Sequence, residues 1–107
     1  MFLVTRTVTR PALTTAFYTT STSYNTHLVA EYFNTGKCVL HDIPPPDPTK
    51  LINVTKVFWL DRPTWESYMA DPIVSVMMTA REAYYAANNI TEVIKTSNVR
   101  TINPQTL

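Results

Sequence analysis

Along this chain the spacing of apolar residues switches between a two-residue and a four-residue period, and the order of the switches leaves few folds open. Residues 2–9 alternate, with Phe2, Val4 and Val8 on one side and Leu3, Thr5 and Thr7 on the other, as in a strand. Arg10-Pro11 closes it, because proline cannot donate to a ladder. The hydroxyl-rich run Thr19–Ser23 supplies helix caps. From Tyr24 the spacing becomes helical, with Tyr24, Leu28 and Tyr32 four apart and Val29 and Phe33 beside them. Gly36 suits the left-handed position that ends such a helix.

A short strand is expected over 38–43. Pro44-Pro45-Pro46-Asp47-Pro48 then forms a stiff connector in polyproline II geometry. A longer strand follows over 51–60. It has Ile52, Val54, Phe58 and Leu60 on one face and Asn53, Thr55, Val57 and Trp59 on the other. Asp61-Arg62-Pro63 opens a helix with an acidic cap and a first-turn proline, and Trp65, Tyr68 and Met69 mark its stripe. Asp71-Pro72 restarts it, and Ile73, Val76, Met77, Ala80, Tyr84 and Ala87 continue the apolar face. A last strand is expected over 90–98. The helices therefore fall near 23–35 and 63–88.

The order strand–helix–strand–strand–helix–strand is the split βαβ of a ferredoxin-like βαββαβ unit. The expected class is α+β, a four-stranded antiparallel sheet with two helices on one face. One domain spans 1–99 and a tail 100–107. The sheet face away from the helices, expected to carry Val57 and Trp59, needs cover, and a second copy is the simplest cover.

The stretch Val54 to Tyr85 resembles the second half of dimeric α+β barrel proteins. The residues that carry the resemblance are Val57-Phe58-Trp59-Leu60, Asp61-Arg62, Trp65-Glu66-Ser67-Tyr68-Met69 and Ala70-Asp71-Pro72. That superfamily includes antibiotic-biosynthesis-type monooxygenases and haem-degrading relatives. The resemblance implies the ferredoxin-like fold and, as one reading, a cofactor-independent small-molecule enzyme. Haem-degrading members place a histidine ligand shortly after the aspartate. The matching stretch here, Ile73 to Met78, has none, so neither haem nor any other cofactor is expected.

Composition removes other classes. The 107 residues carry nine basic and eight acidic side chains, a net charge of +1, with no basic run for nucleic acid or anionic lipid. One cysteine, Cys38, and two histidines, His27 and His41, are too few for a thiolate zinc site, and no metal is expected. A single glycine argues against glycine-rich phosphate loops. No apolar run reaches membrane-spanning length, and Met1–Arg6 does not read as an export signal. The Asn53-Val54-Thr55 and Asn89-Ile90-Thr91 tripeptides read as chance matches to a glycosylation pattern.

No catalytic residue is assigned from the sequence. His41 and Asp42 are neighbours in a strand and would point to opposite faces. Asp61 and Asp71 are explained by capping, and Arg81-Glu82 reads as solvated helix surface. The missing parts point to a protein that acts by contact: a structural or assembly subunit, plausibly a bacteriophage head or tail accessory protein, located in a virion or the cytoplasm. It would self-associate and bind other structural proteins through Val57, Trp59, Thr5, Thr7 and the projection Pro44-Pro45-Pro46. The alternatives are the cofactor-independent monooxygenase and a ligand-binding regulator on the same fold.

Overall fold

A computed structural model describes residues 1–100. Strand β1 (Phe2–Thr9) leads through an irregular strap to α1 (Thr22–Leu28), which continues as a π-helical turn over Val29–Phe33. Then come β2 (Cys38–Asp42), β3 (Ile52–Trp59), α2 (Arg62–Ala70), α3 (Pro72–Asn88) and β4 (Thr91–Asn98). All strand pairs are antiparallel, in the order β2-β3-β1-β4. This is the ferredoxin-like α+β arrangement expected from the period switches, with the last helical stretch divided at Asp71. Most of the expected tail, 101–107, lies outside the described residues. Among the described residues no helix is long and apolar enough to cross a membrane.

The caps explain the helix boundaries. Ser21 accepts from the Tyr24 amide at 3.1 Å, Asp61 from Thr64 at 2.8 Å and Asp71 from Ile73 at 2.9 Å. Gly36 and Asn89 take positive φ angles, 77° and 55°, where the chain leaves α1's π turn and α3. In that π turn the Asn34 amide bonds to the Val29 carbonyl, five residues back, which sets Tyr32 into the core and Phe33 against His41.

The helices cover the sheet face formed by Phe2, Val4, Arg6 and Val8 of β1 and Asn53, Thr55, Val57 and Trp59 of β3, which pair directly in register. Trp59 is 3% exposed and packs with Tyr24, Tyr32, Tyr68, Val74 and Met77. This corrects the expectation that Trp59 and Val57 face a partner: both lie beneath this chain's own helices. Both faces of β3 are apolar, so hydropathy alone did not distinguish them. The open face instead carries Leu3, Leu40, Ile52, Val54, Phe58 and Val93, with Thr5 and Thr7 among them.

Two further features hold the fold. Arg10, buried at the end of β1, spreads its guanidinium over the carbonyls of Thr15, Asp47, Pro48 and Lys50 and lies 4.6 Å from the Phe17 ring centroid. It ties the strap after β1 to the proline connector. Cys38 is buried in the main core at the start of β2, beside an irregularity in the β2–β3 pairing.

Candidate functional site

The site begins with two arginines on otherwise apolar stripes. Arg6 lies between Val4 and Val8 on the helix-facing side of β1. Arg81 lies on α3 one helical turn from Met77 and Tyr85, both buried. Sequence reading placed Arg81 on solvated surface. Its side chain is in fact 11% exposed, while Glu82 beside it is exposed. The missed signal was a charge at helical spacing from the buried residues Val74, Met77 and Tyr85.

Both guanidiniums line a cavity of about 140 Å³ between sheet and helices, walled by Trp59, Trp65, Tyr68 and Met78. A second chamber of about 100 Å³ shares Arg6, Thr55, Val57, Trp59, Tyr68 and Arg81 with the first and reaches Tyr24 and Phe33. A space of roughly 150 Å³ holds benzene, and the first chamber, of about that size and open on one side, admits the edge of a flat aromatic. Arg6 and Thr55 also border a wider recess of about 350 Å³ between the strap and Pro44-Pro45-Pro46. The prolines expected to form a projecting contact thus line an approach to the interior.

Arg6 donates to the Tyr85 hydroxyl at 2.9 Å and to Glu92 Oε2 at 3.1 Å. Arg81 Nε lies 3.7 Å from the same carboxylate oxygen, beyond hydrogen-bond reach. Two cations therefore face one carboxylate in the interior. Nearby, the Tyr24 and Tyr68 hydroxyls are hydrogen-bonded to each other. Burial raises both phenols, Tyr68 far above its ordinary value. Arg81 and Arg6 pull Tyr24 the other way, as neighbouring cations should. Both tyrosines are thus neutral hydroxyls at ordinary pH. One donates within the pair, which leaves the other's hydrogen for a third partner.

Behind Tyr68, Asp71 does more than cap α3. Its Oδ2 lies 2.5 Å from His27 Nε2 and accepts from the Tyr32 hydroxyl at 2.6 Å, joining α1 to the α2–α3 junction. Partial burial works to raise this carboxyl, but hydrogen bonds from His27, Tyr32 and the Ile73 amide outweigh it and hold it at about 2. A depressed carboxyl stabilises the fold fully above its unfolded value, about 3.9, and that contribution is lost as pH falls toward 2. Asp71→Asn should keep the cap, lose about 1–2 kcal/mol at neutral pH, and show a shallower decline in urea midpoint between pH 4 and pH 2. A decline as steep as the wild type's would refute this account. His41, by contrast, stacks on Phe33 at 4.3 Å, and Asp42 pairs in register with Lys56 on the opposite side of the strand, so these two do not form a dyad. Among the described residues no cluster of metal-ligating side chains occurs.

No protein-family profile matches the chain, and no curated protein matches it in sequence. Solved structures do match in fold. A Deinococcus radiodurans protein classed with antibiotic biosynthesis monooxygenases is 17% identical, with a TM-score of 0.56, covering 96% of this chain and 97% of that one. A second antibiotic biosynthesis monooxygenase is 13% identical, with a TM-score of 0.57, covering 94% of this chain and all of the other. A variant of SnoaB, a cofactor-independent oxygenase from Streptomyces nogalater, is 16% identical, with a TM-score of 0.58, covering 96% and 95%. The chain has the ferredoxin-like fold of these proteins along nearly its whole length. These neighbours overturn the expectation of a virion assembly subunit: the fold is one that oxygenases use, and Arg6, Arg81 and Glu92 meet from β1, α3 and β4 beside the cavity.

Proposed function

We propose that the chain is a small-molecule oxygenase that works without a cofactor on a flat aromatic substrate held between sheet and helices. The observation that carries this reading is the partly open, aromatic-walled cavity bordered by Trp59, Trp65 and Tyr68, in a fold shared over nearly the whole chain with a cofactor-independent oxygenase. Such chemistry asks little of the protein. An electron-rich carbanion of the substrate passes one electron to dioxygen, and the two radicals join in a C–O bond. The peroxide gains a proton and then loses water to leave a carbonyl. Overall, CH2 and O2 give C=O and H2O. The aromatic walls displace part of the water around a bound ring. The neutral Tyr24–Tyr68 pair stands ready to give the proton the peroxide takes up.

The test is oxygen uptake with a panel of hydroxylated naphthalenes and quinols. Uptake should be one dioxygen per substrate, unaffected by a chelator and by omission of flavin or haem. Tyr68→Phe should lower kcat about 100-fold with the fold intact. Uptake no faster than the protein-free rate across the panel would overturn the proposal.

We also infer that the open sheet face is covered by a second copy of the chain. A sheet that buries only one apolar face leaves the other in water, and antiparallel single-layer sheets resolve this by packing face to face. Thr5 and Thr7, expected at an interface, lie on that face.

A further inference from the structure

We propose that Arg81 selects the charge of the ligand: its guanidinium, which lines both chambers, holds an oxyanion, phenolate or carboxylate, on a planar aromatic, so that the cavity prefers an anion to its neutral isostere. This rests on the cavity being the substrate site.

Two cations share one carboxylate beside the cavity. Arg81 Nε is buried and, among the described residues, has no hydrogen-bond partner. A buried charged donor left unpaired is costly, and native interiors rarely keep one without a ligand or water to satisfy it. The obvious partner is unavailable, because Glu92 Oε2 is 3.1 Å from Arg6 and 3.7 Å from Arg81 Nε. Arg6 is also satisfied by Tyr85. One guanidinium is therefore matched, and the other only shares its carboxylate at 3.7 Å. Glu82 borders the same cavity, but it is exposed, and water screens its charge. An anionic oxygen arriving at Arg81 would bring the interior charge to balance. Tyr68, which lines both chambers, lies within reach of the same space. The indole and phenol walls accept the rest of a flat ring system.

The experiment titrates the intact protein with 2-naphthoate and with 2-naphthamide, a planar neutral isostere, following quenching of tryptophan fluorescence from Trp59 and Trp65. The wild type should bind the carboxylate at least about tenfold tighter than the amide. Arg81→Gln should bring the ratio near one, mainly by losing the carboxylate. Glu92→Gln, which removes the competing carboxylate, should raise the ratio severalfold, and it keeps the proposal falsifiable if Arg81→Gln does not fold. Equal binding of the two probes by the wild type, a ratio preserved in Arg81→Gln, or a ratio unchanged or lowered in Glu92→Gln would each overturn it. Neither probe can undergo the oxygenation above, so charge selection is read independently of catalysis. Anion preference without oxygen uptake would keep this inference and remove the oxygenase. Oxygen uptake without charge preference would do the reverse.

Discussion

Arg10→Ala is expected to lower the melting temperature by roughly 10–25 °C, a loss of about 2–4 kcal/mol. Arg10 is 6% exposed, and among the described residues no carboxylate partners it. Instead its three nitrogens reach four backbone carbonyls at 2.6 to 3.4 Å, two of them in the proline-rich connector. Prolines at 44–46 and 48 leave that connector with few amides of its own, so it cannot build a turn ladder to hold itself down. The guanidinium fork takes over that role, and Phe17 beneath it fixes the strap on the other side. Alanine would strip the carbonyls of their donor and release both segments. Lysine restores the charge but not the fork, so Arg10→Lys should recover less than half of the loss. A change in melting temperature of only a few degrees in Arg10→Ala would show that connector and strap hold without it.

The second large effect is on assembly. Phe58→Glu should weaken self-association at least about 100-fold and leave a folded monomer. Phe58 lies toward one end of the open face, between Leu3 on β1 and Leu40 on β2. Leu40, Ile52 and Val93 are each about half exposed, giving an apolar surface of the kind soluble monomers seldom show. Phe58 belongs to neither buried cluster, so its replacement should spare the core. Sedimentation velocity over a wide concentration range, with circular dichroism as the folding control, reads both outcomes. A wild type that stays monomeric at about 100 µM would remove the second copy from the account, as would a variant that associates unchanged.

The fold was legible because the period of apolar spacing is a local property. Strand and helix positions followed from it, as did the caps at Asp61 and Asp71. The orientation of β3 was not legible. Ile52, Val54, Phe58 and Leu60 are as apolar as Val57 and Trp59, and only the pairing of Trp59 with Phe2 decides which side the helices cover. The site was hidden for a different reason. Arg6, Arg81 and Glu92 come from β1, α3 and β4, and the chain brings both arginines within 4 Å of Glu92 only after the sheet has closed. His27 and Asp71, 44 residues apart, were likewise read singly. A charged residue interrupting an apolar stripe was the available signal. Arg6 between Val4 and Val8 shows it, and so does Arg81 among Met77, Met78 and Tyr85.

The burial of Cys38 makes the molecule its own clock. Burial pushes this thiol up to about 11, so at pH 8 almost none is thiolate. The same packing keeps alkylating reagents out. Because Cys38 pairs with Trp59 in register, it becomes accessible only when β2 parts from β3 or the helices lift from the sheet. With no other thiol in the chain, mass-detected carbamidomethylation under native conditions counts those openings one molecule at a time. A ligand seated beneath the helices should slow that count in proportion to its occupancy, giving a binding assay that needs no turnover and no chromophore.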